Sequence, residues 1–262
     1  MRWFFLAALL GTVVLAVPAP AAGQYLKRLD PKTPRLPDGK PNLNAPVPRR
    51  ADGKPDLNGL WNAVDGRFLT NLSRRAGIEP PFTPWAAALF KERQENDGRD
   101  RPAGRCLPHT IPDAMLVPNY PWKVVQSPEL TIILFENFTQ YRQIFTDGRG
   151  YPDETAPTWF GYSLGKWDGD TFVVDTVGIN DKTWMDNAGR PHTDALHTTE
   201  RYRRRSFGFM DVTLTIDDPK AYTRPWTVNT GPSRLVVGQD LLEYVCTENN
   251  KDVEHLTGEG RK

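Results

Sequence analysis

The chain predicts a mainly β protein: an antiparallel up-and-down β-barrel, or a strongly curved sheet, of about nine strands, with one N-terminal helix and a Pro-rich arm. Three observations lead there. From Pro121 onward, short runs rich in β-branched and aromatic residues follow one another with only turn signals between them. No segment alternates a strand with a long helix, which removes the parallel α/β architectures. Closure is the economical way for an all-β domain of this size to leave no strand edge exposed.

The elements read as follows. Arg2, the apolar run Trp3 to Val17 and the small residues before Gly23 have the layout of a secretory signal, residues 1–23, cleaved after Ala21, Ala22 or Gly23. The apolar run is too short for a membrane span and ends at Pro18 and Pro20. Residues 24–58 form an arm of Pro, Gly, Lys, Asp and Asn with an internal echo, DGKPNLNA at Asp38–Ala45 and DGKPDLNG at Asp52–Gly59. Two copies so poor in apolar residues cannot stack as a solenoid, so an extended, Pro-stiffened segment is expected. A single domain then runs from 59 to 262. Its helix, at about 84–97, opens with Thr83 as N-cap and Pro84 at the first position and stops at Gly98, with Trp85, Leu89 and Phe90 expected on the docking face. A Pro-rich loop, Arg99 to Tyr120, follows and is expected to pack against the β-body, with a place over an opening as one option.

The nine expected strands are WKVVQ, LTIILFE, QYRQIFT, YSLGKW, TFVVDTVG, TTERYRRR, MDVTLTID, TRPWTVN and DLLEYVCTEN. Asp168-Gly169, between YSLGKW and TFVVDTVG, is the strongest hairpin signal in the chain.

Charge and cysteine content narrow the function. With 33 basic and 32 acidic residues the chain is nearly neutral, which argues against nucleic acid as a partner. The cluster Arg201, Arg203, Arg204 and Arg205 is the local exception and reads as a solvated strand end or an anion site. Cys106 and Cys246, in a chain expected to be secreted or periplasmic, read as one disulfide tying the middle loop to the last strand; two free buried thiols are the alternative.

Two resemblances bear on this reading. Gly59-Leu60-Trp61 ahead of an up-and-down β-domain resembles the glycine-x-tryptophan signature of lipocalins, which implies a calycin-like barrel but transmits no function. The blocks QYRQIFTDGR, GKWDGDTFVVDTVGINDKTW, HTDALHTTERYRR, TIDDPKAYTRPW and LLEYVCTENN resemble an uncharacterised family of secreted bacterial β-proteins, which supports export and a β-fold and adds no chemistry.

Candidate site residues concentrate between Trp159 and His197. His192, Asp194 and His197, with Glu200 close behind, supply imidazoles and carboxylates for acid/base work or a metal, although their spacing is no known zinc pattern. If a strand begins at Leu196, Thr198, Glu200 and Tyr202 share one face while His197, Thr199 and Arg201 share the other. Asp175 lies in an otherwise apolar strand and needs a partner, for which Arg142 or Tyr141 is available. His109, carried by the Cys106 loop, would meet His192 or His197 if that loop closes a barrel mouth. Tyr141, Arg142, Trp159, Tyr162, Trp184, Trp226 and His109 are the expected ligand contacts. No nucleophile elbow, phosphate loop or dinucleotide fingerprint occurs, and neither a cofactor nor a metal is called for.

Three functions fit these residues. The first is a secreted, disulfide-bonded, lipocalin-like barrel binding a small, partly apolar molecule. The second is a periplasmic hydrolase, lyase or isomerase on the same frame, with His192 or His197 as acid/base, Asp194 or Asp175 as orienting carboxylate, and Tyr141 or Arg142 stabilising developing negative charge. The third is an interaction module that engages a cell-envelope partner through the arm.

Overall fold

The computed structural model describes residues 30–154 and 156–248; the expected signal segment and the first residues of the arm lie outside this range. Nine strands among the described residues close into one barrel in sequence order. They are β1 (Gly59–Ala63), β2 (Trp122–Gln126), β3 (Leu130–Phe135), β4 (Gln140–Phe145), β5 (Tyr162–Asp168), β6 (Thr171–Val177), β7 (His197–Ser206), β8 (Phe209–Asp217) and β9 (Trp226–Leu235). Helices α1 (Arg67–Thr70), α2 (Leu72–Ala76), α3 (Pro84–Glu95) and α4 (Asp113–Leu116) lie in the segment between β1 and β2.

Alternation along each strand builds the interior. Trp122 and Val124 of β2, Thr131, Ile133 and Phe135 of β3, and Phe172, Val174 and Thr176 of β6 are buried at every second position. Strand β7 does the same with Thr198, Glu200, Tyr202 and Arg204. The arginine run is therefore not a solvated strand end throughout. Arg204 is buried, its guanidinium lies 5.0 Å from the Trp61 ring, and it donates to the carbonyls of Asp56, Ser206 and Phe207.

Strand membership differs from the sequence reading at both ends. Gly59–Ala63 is itself a strand and closes the barrel against β2 and β9. The run from Asp240 does not form a strand over its described residues. It instead runs past the 137–139 turn, where the Tyr244 ring packs 6.0 Å from Phe138 and the Leu242 amide donates to Glu136. The tight turn is also displaced by one residue: Asp168 pairs with Thr171, so Gly169 and Asp170 form the connection, with Gly169 at φ 58°.

Helix α3 starts as expected, with the Thr83 hydroxyl accepting from the Ala86 amide and Pro84 in the first turn. Its docking face is rotated relative to the sequence reading. Ala86 is buried and Phe90 stacks on Phe82, whereas Trp85 is 49 % exposed. Positions 86, 90 and 93 follow the helical repeat, and Trp85 falls off it.

The arm is bound to the barrel. Its two echoes fold into the same small hook: Arg35 donates to the Gly39 carbonyl and Arg49 to the Gly53 carbonyl, each at 2.8 Å. Each hook delivers a leucine. Leu57 is buried in the core, and Leu43 covers Gly208, whose missing side chain makes room for it: a Cβ there would stand 2.4 Å from the Leu43 Cβ. Arg49 also forms an ion pair with Asp170 at 2.6 Å, fixing the second hook to the β5–β6 turn.

Two features of the barrel place the candidate site. The segment after Cys106 enters the barrel, and all four residues of α4 are buried. Ile111, Pro112, Met115 and Leu116 face Glu200, Val212, Leu214 and Thr230 around a residual cavity of about 10 Å³, space for at most one water. The second feature is the contact between β4 and β5, the one parallel pair among the described strands. It comprises Ile144 with Ser163 and Phe145 with Leu164 only. The crossover through residues 146–161 delivers β5 in the same direction as β4, and Gly161 turns the chain into the strand at φ 64°. A Cβ at Gly161 would lie 2.4 Å from the Val177 carbonyl oxygen, so this approach depends on glycine.

Candidate functional site

The short β4–β5 contact leaves a groove of about 530 Å³ between the start of β4 and the chain entering β5. Tyr141, Gln143 and Phe145 reach it from β4, and Trp159, Phe160 and Tyr162 from the approach to β5, with Arg142 also on its border. Tyr141 is 62 % exposed. Phe145 and Tyr162 stack at 5.0 Å, the Arg149 guanidinium lies 4.1 Å from the Phe145 ring, and Tyr151 meets Tyr162 edge-on at 6.2 Å. Aromatic faces with amides and a hydroxyl among them suit a ligand with an apolar body and polar edges. Burial, and then the Asp175 carboxylate, push the Tyr151 hydroxyl up to about 12, so it stands at the rim as a neutral donor.

Behind the groove lies a buried polar network. Arg142 points into the barrel, where it donates to Ser163 at 3.0 Å, to Thr176 at 2.7 Å and to Glu200 at 2.5 Å. The Tyr202 hydroxyl donates to the other Glu200 oxygen at 2.7 Å and also contacts the Met115 sulfur at 3.3 Å, linking the network to the segment that fills the lumen. Burial opposes the Arg142 charge, but Glu200 and Tyr202 outweigh it and raise its pKa. Burial followed by the Glu200 charge holds the Tyr202 phenol well above its ordinary value.

The partner expected for Asp175 is therefore corrected. Arg142 pairs with Glu200, because strand alternation sends Arg142 inward and Asp175 outward. On the outer face Asp175 accepts from Thr199 at 2.7 Å and lies 3.5 Å from His197 Nε2. Asp175 and His197 are thus the two candidate acid/base residues that the fold brings together.

The other candidates have different partners. His192 is buried with Nε2 2.7 Å from the Thr183 hydroxyl, while Asp194 is exposed and pairs with Lys220 at 2.6 Å. His109 is buried with Nδ1 2.5 Å from Asp113 and its ring stacked on Phe138 at 4.8 Å. The expected meeting of His109 with His192 or His197 does not occur: the loop enters the lumen, and His109 serves to hold α4. No group of three or more His, Cys, Asp or Glu among the described residues is placed to hold a metal ion. Trp184 is buried under the Arg93 guanidinium at 4.6 Å, and Trp226 packs on Tyr222 at 5.4 Å; neither borders the groove. Cys106 and Cys246 form a disulfide with Cα atoms 5.6 Å apart.

Burial of His192 has a measurable consequence. Desolvation lowers its pKa below 6.5, against smaller raising effects from the Thr193 carbonyl and Asp218. The unfolded chain therefore binds a proton that the native state refuses, so stability falls as pH drops below about 6.5 towards the native pKa. Denaturation midpoints measured between pH 7 and pH 5 are expected to decline less steeply in His192→Gln than in the parent protein. Equal slopes would remove His192 as the cause.

Glu200 as the buried partner of Arg142, Tyr202, and the rim pair Arg149 and Tyr151 were not anticipated in these roles. The alternation of β7 already assigns Glu200 and Tyr202 to one face, but nothing local identifies which arginine waits across the lumen. Comparison with family models, curated proteins and solved structures gives no match to this chain.

Proposed function

We propose that this is an exported binding protein that takes a small, partly apolar molecule in the aromatic groove at the β4–β5 seam. The observation that carries the reading is the contrast between the lumen and the seam: the lumen retains about 10 Å³, whereas the groove offers about 530 Å³ with the aromatic rings of Tyr141, Trp159 and Tyr162 on its border. Export is supported by the signal-like start of the sequence and by the disulfide. No described helix is long and apolar enough to cross a membrane. The calycin kinship suggested by Gly59-Leu60-Trp61 is part of the proposal. It is supported by the place of Trp61 on the closing strand, fully buried, stacked on Trp122 and covered by Arg204.

A screen of small ring-bearing compounds by ligand-observed NMR on the full chain tests the reading. Hits are expected to bind about tenfold more weakly, about 1.4 kcal/mol, in Tyr141→Ala or Trp159→Ala, and unchanged in Trp85→Ala, whose aromatic ring is exposed on α3. Hits insensitive to both groove substitutions would reject it.

The enzyme reading retains one specific support, the 3.5 Å approach of His197 to Asp175 on the face beside the groove rim. A bound hit that is converted by the parent protein and left intact by His197→Gln would move the assignment from binder to enzyme. An interaction module working through a free arm is disfavoured by the docking of residues 43–57 on the barrel.

A further inference from the structure

The overall charge of the chain is balanced, but one corner of the surface is not. Helices α1 and α2, the end of α3 and the loop 187–188 border a second, open cavity of about 610 Å³, lined by Arg67, Arg74, Arg75, Asn71, Gln94 and Asn187 among others. Its shape is set by buried bonds. The Leu72 amide donates to Asp186 at 2.8 Å, the Asn187 amide to the Leu69 carbonyl at 2.8 Å, and Arg190 to Ser73 at 2.6 Å; Gln94 donates to the Ala188 carbonyl. In α2, Leu72 and Ser73 turn inward, which leaves Arg74 and Arg75 on the open side.

The arginines share one counter-charge. Asp65 accepts from Arg67 at 2.8 Å and from Arg75 at 2.7 Å, and the Arg67 hydrogen bonds hold its carboxyl far below the usual carboxylate range despite partial burial. Arg74 has no side-chain partner among the described residues. Three guanidinium groups against one carboxylate leave the border of the cavity with an excess of positive charge, in a fork geometry suited to carboxylate or phosphate oxygens. The volume is in the range of small-molecule sites, and the amides of Asn71, Gln94 and Asn187 add neutral polar groups beside the charge.

We infer that this cavity is a binding site for a small organic anion, a molecule carrying a carboxylate or phosphate group that Arg74 engages together with Arg67 or Arg75. The site shares no bordering residue with the aromatic groove and does not depend on the function proposed for it.

The test uses the full chain, with phenyl phosphate, benzoate and inorganic phosphate as probes, and follows arginine Nε–H resonances by NMR at low ionic strength. Saturable shifts confined to Arg67, Arg74 and Arg75 are expected with at least one of the two organic anions, together with weakening at physiological salt. Phenyl phosphate as the tighter probe would assign the site to phosphate esters, and benzoate to carboxylates. Arg74→Gln is expected to weaken binding about fivefold or more, and Arg74→Lys to recover part of the loss. Non-saturating shifts spread over surface arginines, saturation with inorganic phosphate alone, or unchanged affinity in Arg74→Gln would each overturn the inference. The shift map on the unsubstituted protein keeps the test decisive if a variant does not fold.

Discussion

Replacing Glu200 by Leu while Arg142 stays in place is expected to cost about 3–5 kcal/mol of stability, measured by chemical denaturation. The reason lies in what remains. Arg142 is fully buried and its only carboxylate partner among the described residues is Glu200, with Ser163 and Thr176 as neutral acceptors. Removing the carboxylate leaves an uncompensated cation in the lumen and takes from the Tyr202 hydroxyl the oxygen it donates to. The double replacement Arg142→Met, Glu200→Leu removes both charges together and is expected to recover most of the loss. A single replacement that costs under about 1 kcal/mol, or a double no better than the single, would mean that the network does not carry the charge in this form.

The second large effect belongs to the disulfide. Cys106 and Cys246 are 140 residues apart, and joining them removes conformational freedom from a very long loop, β2 to β9 included, when the chain unfolds. The double variant Cys106→Ser, Cys246→Ser is expected to lose roughly 3–5 kcal/mol, with the same loss in the parent protein under reducing conditions. The bridge also fastens the loop that feeds α4 into the barrel to the segment that crosses Thr139, where the Thr139 hydroxyl donates to the Tyr244 carbonyl at 2.8 Å. Amide exchange is therefore expected to accelerate most between Arg101 and Leu116. The strands pair around the whole barrel without the bridge and should retain most of their protection. Uniform acceleration across the strands would show that the bridge supports the barrel itself.

Much of the architecture is readable from side-chain periodicity. In β6, β7 and β8 one face is buried at every second residue, and such strands advertise their inward set directly; the division of β7 into Glu200 and Tyr202 against His197 and Arg201 follows from period two alone. Helix α3 is announced by Thr83 and Pro84 for an equally local reason. The disulfide is legible because two cysteines leave one pairing.

Long-range placement is not legible in the same way. Nothing local to Ile111–Leu116 says that this segment fills the lumen, since apolar residues in a Pro-rich loop fit a lid equally well. The two hooks of the arm look polar because each contributes a single leucine, and only the notch at Gly208 reveals what Leu43 is for. The β4–β5 seam depends on a crossover of irregular chain and on two residue pairs, too few to leave a pattern. The candidate residues divide along the same line. Tyr141, Arg142, Trp159 and Tyr162 border one groove, whereas His109, Trp184 and Trp226 are held elsewhere by packing that no spacing rule encodes. His192 and His197 fall on opposite sides of the decision for another reason. The first ends a loop that folds inward onto Thr183, and the second begins a strand whose outer face meets Asp175.

The crystal structure of the full chain bound to its tightest ring-bearing ligand is the most direct test. The ligand is expected against Tyr141, Trp159 and Tyr162 at the β4–β5 seam, with Ile111–Leu116 still seated in the lumen. A ligand found inside the barrel, in the place of Met115 and beside Glu200, would contradict the assignment of the groove as the binding site.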